Sequence, residues 1–392
     1  MSAAKDRTAI VGVGRSPYAR DRGTSETALV LEAATAAIRD AGLTAADIDG
    51  VVAGGLHTGG IDPSVVVSAL GLSGTTFWTT ARPPIMNHLH AAVGALLNGA
   101  ATTVLVYHSA YRLGRGPFRE RAAFGVGDGR ATLGEGHTET EPWGMFGPTG
   151  YAAWAMRYLD AFGRTREDLG RVALNQRANA GRNPDAVMRD PLTMEQYLDG
   201  RMVREPLCLF DMDVPVDGAD AFVLTTVARA RDLPGRPVLV HALSMGMARH
   251  PEEHLTAGFD DTGQAVAAAA LRARSDLWVD EADVLFPYDG FSIITLRWLE
   301  TLGLCDDGEA GDFLADHWDA EQGRVLIKGR VPINPHGGSL SEGGTQGAGH
   351  VHEAVLQLRG TATGRQVDDA RSALLTPGGL FFNAQGLVLR TD

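Results

Sequence analysis

Short apolar runs and helical periodicities alternate along this chain, and their order lays out its elements. Thr8 to Gly14 is an almost wholly apolar run that ends in glycines, the pattern of a buried strand. The Ala-rich segment Glu26 to Ala41 carries apolar Leu29, Leu31, Ala34 and Ile38 and predicts a helix. Gly42, Leu43 and a polar Thr-Ala-Ala-Asp-Ile-Asp segment then lead into a short strand, Gly50 to Gly54. This is β-α-β order. Thr76 to Pro84 precedes a second helix, Met86 to Asn98, which Gly99 ends, and Thr102 to Tyr107 reads as a strong buried strand. From about Ala110 to Glu205 the pattern changes to a Gly- and Arg-rich segment carrying Trp143, Phe146, Tyr151, Trp154 and Tyr158. It reads as an insertion with its own helices, at Gly150 to Phe162 and Thr165 to Ala180. Val216 to Thr226 returns to the strand pattern.

A second half opens at Pro237-Val-Leu-Val-His, followed by an Ala-rich helix over Gly263 to Arg274. Two echoes tie it to the first half. Leu277 precedes Asp283 by the spacing that separates Leu43 from Asp49, and a short apolar run follows each aspartate. His88-Leu-His-Ala-Ala-Val leads to Leu97-Asn-Gly99, and His350-Val-His-Glu-Ala-Val leads to Leu358-Arg-Gly360. Echoes in the same order suggest internal duplication, with chance similarity of Ala-rich helices as the alternative. The division expected is residues 1–235, with the insertion at about 110–205, and residues 236–392. Each half would be a β-α-β-α-β unit with helices around mainly parallel sheets.

One stretch stands apart. Asn334 to Gly349 is glycine-dense and carries one imidazole, His336, and one carboxylate, Glu342. A helix follows, with Val351, Ala354, Val355 and Leu358 at helical spacing. Glycines allow close backbone approach, and a helix start offers free N–H groups. The stretch therefore suits an oxyanion-binding corner, or else only a chain reversal.

Composition narrows the chemistry. At 44% hydrophobic and 21% charged, the chain has an ordinary globular composition. Its net charge of −13 argues against a nucleic-acid surface. No run reaches the ~20 apolar residues of a membrane span, and the N-terminus has no signal-peptide core, so a cytoplasmic location is expected. Lys5 and Lys328 are the only lysines, which leaves a Schiff-base mechanism almost no candidate. Cys208 and Cys305 are the only cysteines, excluding a disulfide framework and a cysteine-based zinc site. Gly12 and Gly14 lack the third glycine of a dinucleotide fingerprint. His88, His90, His350 and His352 form i, i+2 pairs, which point to different helix faces and suit a metal poorly.

These segments together resemble the thiolase superfamily, most nearly the sterol-carrier-protein-x-like thiolases, which include the lipid-transfer-protein-type aldolases of steroid side-chain breakdown. The resemblance is carried by Ala9-Ile-Val-Gly-Val-Gly14, Val216-Asp-Gly-Ala-Asp-Ala-Phe-Val-Leu224, Tyr288-Asp-Gly-Phe291 and Asn334-Pro-His-Gly-Gly-Ser-Leu-Ser-Glu-Gly343 with the helix ending at Gly360. It spans nearly the whole chain. It implies a five-layered α-β-α-β-α thiolase fold, usually a tight dimer, that cradles an acyl-CoA thioester. No separate cofactor is implied, because CoA is part of the substrate. A homodimer and a separate OB-fold acyl-CoA-binding partner forming a heterocomplex are expected by resemblance.

The departures from the family narrow the reaction. The nucleophilic cysteine of a condensing thiolase falls near Arg82, within Ala81-Arg-Pro-Pro84, and no cysteine, serine or threonine stands in Arg82 to Met86. The second catalytic cysteine belongs near Pro377-Gly-Gly379 and is also missing. The family's histidine falls at about Gly344, where the steroid aldolases carry a second tyrosine. The resemblance thus implies retro-aldol cleavage of a β-hydroxyacyl-CoA, giving a ketone and propanoyl-CoA. The alternatives are a thiolase-type acyltransferase and a non-catalytic acyl-CoA-binding subunit.

The candidate catalytic residues are Tyr288, His336, Asp289 and Glu342, with Asn334, Gly337, Gly338 and Gly344 on the binding side. Tyr288 exchanges a proton if nearby donors lower its pKa from about 10. Asp289 suits a helix cap, Glu342 a helix N-terminus, and Gly344 extra room for a bulky substrate. Arg112, Arg115, Arg119 and Arg121 suit CoA phosphates, or an ordinary solvated run.

Overall fold

The structure is a computed structural model that describes residues 4–55, 60–113, 148–249, 258–380 and 383–392. Trp143, Phe146, Arg115, Arg119 and Arg121 lie outside the described residues. The first half runs β1 (Thr8–Ala19), α1 (Glu26–Asp40), β2 (Gly50–Gly55), α2 (Pro63–Leu70), β3 (Phe77–Thr80), α3 (Ile85–Asn98) and β4 (Thr103–Tyr111). The long connection that follows carries α4 (Pro148–Phe162), α5 (Arg166–Ala180), α6 (Met194–Leu198) and the hairpin β5 (Met202–Arg204) and β6 (Leu207–Cys208). It returns to β7 (Asp217–Thr226) and α7 (Val227–Ala230). The second half runs β8 (Val238–Gly246), α8 (Gly263–Arg274), β9 (Val284–Pro287), α9 (Ser292–Thr301), α10 (Ala310–Asp316), β10 (Trp318–Asp319), β11 (Arg324–Ile327) and β12 (Val331–Pro332). It ends with α11 (Gly338–Ser341), α12 (Ala348–Arg359), β13 (Ser372–Thr376) and β14 (Ala384–Arg390).

Nine strands pair in the order β3-β2-β4-β7-β1-β8-β14-β13-β9. In the first half β1 is antiparallel to β7 and β7 to β4, while β2 runs parallel to both β4 and β3. The second half repeats this sequence of senses. There β8 is antiparallel to β14 and β14 to β13, while β9 runs parallel to β13 and, through Leu285, to Ile333. The halves meet where Ala9 and Ile10 of β1 face Leu239 and Val238 of β8. The sheet is therefore mixed, not mainly parallel: three neighbouring pairs are parallel and five antiparallel. Local β-α-β order reveals only the pairs that a crossover joins. The antiparallel partners β7 and β14 arrive late in each half, beyond the reach of that pattern.

Side-chain alternation along these strands builds five layers. On β1, Ala9 and Val11 face α1, while Ile10 and Val13 face inward to α3 and α12. On β4, Leu105 and Tyr107 face outward, and Val104 and Val106 inward. On β9, Val284 and Phe286 face the same central helices, and Leu285 faces the outer cluster built on α8 and α9. The order is α1–α2, first half-sheet, α3 with α12, second half-sheet, α8–α9. Because both sheet faces are covered, the strands read as continuous apolar runs. The central α12 is buried on nearly every face, including His350, His352 and Glu353. The long connection crosses over: Trp154, Tyr158, Leu169 and Val172 of α4 and α5 join the second half's outer cluster. Among the described residues, no helix is long and apolar enough to cross a membrane.

Candidate active site

Two loops leave neighbouring parallel strands at their carboxyl ends, the usual place for a ligand site in α/β folds. Tyr288-Asp289-Gly290 follows β9, and the Asn334–Gly347 loop follows Ile333, which bridges Leu285 of β9. Asn334 clamps the second loop to the first. It takes a left-handed φ of 48°, its N–H donates to the Leu285 carbonyl at 2.9 Å, and its Nδ2 donates to the Pro287 carbonyl at 2.7 Å. The outer helix α5 braces both loops. Asn175 and Asn179 donate to the Ile333 carbonyl, Asn183 to the His336 carbonyl, and Gln176 to Asp289.

Asp289 is a structural hub. Its buried carboxylate accepts from the backbone N–H groups of Ser339 (2.8 Å) and Leu340 (3.2 Å), from Gln176 Nε2 (2.8 Å), and lies 3.1 Å from His350 Nε2. It caps α11, which comes from the other loop, rather than the helix that follows it in sequence. A Cβ on Gly338 would lie 2.0 Å from that carboxylate, and one on Gly337 would lie 2.6 Å from Ala180 of α5. These glycines therefore admit the protein's own groups, not a ligand. The second helix start is occupied as well: the Thr345 hydroxyl accepts from Gly349 N–H at 3.0 Å, and its carbonyl from Ala348 N–H at 3.2 Å. The backbone corner expected to hold an oxyanion is thus filled from within.

Behind it lies a buried couple. Among the described residues, both ring nitrogens of His336 lack a hydrogen-bond partner, and so does Glu342 Oε2, which lies 3.9 Å from His336 Nε2. Burial, helped by His350 and Arg15, keeps His336 well below its ordinary pKa and so neutral. Glu342 is not at a helix N-terminus; it closes the C-terminal end of α11. Its Oε1 accepts from Arg15 Nη1 at 2.8 Å and Asn183 Nδ2 at 3.0 Å. Burial pushes its carboxyl up to about 7 despite Arg15. Arg15 also donates to Asp220 at 2.8 Å and stacks over Tyr18, whose hydroxyl donates to Asp220. Burial would raise Asp220, but Arg15 and His352 outweigh it and hold the carboxyl below its ordinary range. Charged residues inside the apolar runs of β1 and β7 were the available sign of this network.

Tyr288 folds back over Gly290, where a Cβ would lie 2.9 Å from its hydroxyl, and its side chain adjoins Ser339. Its pKa is not lowered. Burial raises it, and the charges of Asp213 and Asp289 raise it further. The phenol is a proton donor in the resting site. Gly344 opens no room: Arg112 Nη1 donates to Asp213 Oδ2 at 2.7 Å directly against it. The sequence offers Arg112 as a phosphate ligand or part of a solvated run, and nothing in it singles out Asp213.

No thiol reaches these loops. The α3 start is Pro84-Ile85-Met86, with Ile85 N–H donating to the Gln346 carbonyl and Met86 N–H to Gln385. Cys208 is buried beside Tyr197 and Asp211, and burial pushes its thiol up to about 11. Cys305 is pushed up to about 12 and lines a cavity of about 680 Å³ with Trp278 and Arg297, which none of the loop residues touches. Both are poor nucleophiles. His88 Nε2 donates to the Ala81 carbonyl and His90 Nδ1 to the Met86 carbonyl, while His350 and His352 turn to Asp289 and Asp220, so the pairs diverge.

Comparison with known proteins fits this geometry. Residues 247–391 match the family profile "Thiolase C-terminal domain-like". The 17-hydroxy-3-oxo-4-pregnene-20-carboxyl-CoA lyase of Mycobacterium tuberculosis is 33% identical over 95% of this chain and 96% of its own length. The steroid side-chain-cleaving aldolase of Thermomonospora curvata is 32% identical over the full length of both chains (100% each). The solved Ltp2-ChsH2(DUF35) aldolase superposes with a TM-score of 0.87 at 31% identity, covering 100% of this chain and 99% of that one.

Proposed function

Because this chain belongs to the thiolase-fold family of steroid side-chain-cleaving aldolases and lyases, we propose that it cleaves a β-hydroxyacyl-CoA thioester of a steroid side chain by a retro-aldol step, giving a ketone and propanoyl-CoA. The observation that carries this reading is the pairing of Tyr288, a buried proton-donating phenol, with a site that no thiol reaches. Thiolase-type acyl transfer needs a sulfur nucleophile, whereas retro-aldol cleavage needs only an oriented thioester, a stabilised enolate and proton exchange.

The neutral imidazole of His336, unpaired among the described residues, donates toward the enolate oxygen, since the backbone N–H groups nearby are already bonded. Glu342 stands behind it, with Oε2 3.9 Å from the ring. Tyr288 returns a proton to the α-carbon once the C–C bond has broken. The enzyme acts in the cytoplasm on a substrate that already carries its CoA, and a DUF35-type, OB-fold partner helps to bind that thioester, as the Ltp2-ChsH2(DUF35) assembly of the related aldolase suggests.

The test is to incubate the chain, with and without such a partner, with a steroid thioester bearing a side-chain β-hydroxyl. Release of ketone and propanoyl-CoA is the expected result. Tight binding without turnover rejects catalysis, and inactivation by iodoacetamide that acyl-CoA blocks restores the acyltransferase alternative.

A further inference from the structure

Retro-aldol cleavage requires a base for the β-hydroxyl proton, and Tyr288, protonated at rest, cannot supply it. Asp213 is the carboxylate placed to do so. The irregular segment before β7 that carries it is stitched between both loops: Asp213 N–H donates to the Gly290 carbonyl at 3.1 Å, Val214 N–H to the Ser339 carbonyl at 2.9 Å, and Gly344 N–H to the Val214 carbonyl at 2.8 Å. The Asp213 side chain is 20% exposed and that of Arg112 19%, so the pair is fixed yet still open to an incoming group. Glu342 and Asp289, by contrast, are 1% and 0% exposed. The backbone opposite the pair is Gly344, where a Cβ would lie 2.3 Å from Asp213 Oδ2 and 2.8 Å from Arg112 Nη1. The space that a side chain at this position would take belongs to the ion pair. Tyr288 senses both charges, Asp213 as the largest charge acting on its phenol and Arg112 in the opposite sense.

We propose that Asp213 is the base that takes the β-hydroxyl proton, and that Arg112 is the positioning residue that aims and balances it. The assignment rests on the lyase reading above. The proton passes from the substrate hydroxyl to Asp213, and the O–H electron pair becomes the new C=O bond. The Cα–Cβ bond breaks, and its pair enters the thioester as an enolate. Tyr288 then protonates Cα. The proton held by Asp213 returns to the Tyr288 phenolate through water. One proton moves from oxygen to carbon overall, with no outside oxidant or reductant. A single negative charge travels from Asp213 through the enolate to Tyr288, and one guanidinium, Arg112, offsets it at each stage.

Asp213→Asn and Asp213→Ala are expected to lower kcat by about 10²-fold or more, with KM nearly unchanged. Added acetate should restore part of the turnover to Asp213→Ala and none to a Tyr288→Phe enzyme. Gly344→Ala, which pushes on the side-chain ends of the Asp213–Arg112 pair, should lower kcat while leaving Tm in place. The base assignment is overturned if Asp213→Asn cleaves at the wild-type rate, or if acetate rescues nothing while the variant remains folded; the lyase reading survives either result. A wild-type enzyme that yields no propanoyl-CoA with its partner present overturns both.

Discussion

Tyr288 and Glu342 are both pushed up by burial, with different consequences. For the phenol, burial fixes the protonated form over all working pH, so the role proposed for it is to give a proton. Tyr288→Phe should therefore abolish cleavage, by about 10²-fold or more in kcat, and cost under about 1 kcal/mol of stability, since the ring keeps its packing. Equal turnover in the variant rejects the assignment. For Glu342 the shift has a stability sign. An ordinary carboxyl near 4.5 becomes about 7 in the fold, so the native state holds a proton that the unfolded chain releases. The stability contributed is complete below about 4.5 and is lost as pH rises through about 7. Over that window the wild type should lose up to about 3 kcal/mol relative to Glu342→Gln. Chemical denaturation of both proteins across the window checks this, and a constant difference between them refutes it.

At the scale of elements, the sequence was most informative where a signal is local. The 3.6-residue periodicity located the helix Gly263–Arg274 to the residue and α3 to within one, and turn glycines such as Gly99, with φ of 77°, marked the ends. The Asn334 loop stood out by its glycines. What local pattern could not supply is who fills the loop. Arg15 meets Glu342 across 327 residues of chain, Arg112 meets Asp213 across 101, and Gln176 meets Asp289 across 113. Such pairs are made by tertiary packing alone, and a charge inside an apolar strand looks the same whether paired or not. That is why Asp289 looked like a cap for its own helix but proved to be the anion at the N-terminus of α11. Asp289→Ala should leave two backbone N–H groups, the Gln176 amide and the His350 ring without an acceptor. The expected cost is about 3 kcal/mol or more, read as a lower urea midpoint. A loss below about 1 kcal/mol would mean that water replaces the carboxylate at no penalty.

The whole molecule repeats one strand order twice, yet its two outer edges are treated differently. Beyond β9, Ile333 adds a parallel bridge, and the β10–β12 sheet follows. Beyond β3, no further strand pairs among the described residues, and Trp78 on that edge is 64% exposed while its neighbours Phe77 and Thr79 are half-buried. A bare edge strand with a large aromatic is a template for another strand, and monomeric proteins normally blunt such edges with charge or proline. The residues of β3 are Phe-Trp-Thr-Thr and do neither. A homodimer, as the resemblance implies, would form its seam here, with β3 of one protomer against β3 of the other and Trp78 buried between them. Burying one large apolar side chain contributes about 1.5–3 kcal/mol per copy, and an aspartate in its place would bring two like charges into that seam. Trp78→Asp should accordingly shift the protein from dimer to monomer in size-exclusion chromatography with light scattering, without altering its circular dichroism. A wild type that elutes as a monomer, or a variant that remains a dimer, places the seam elsewhere.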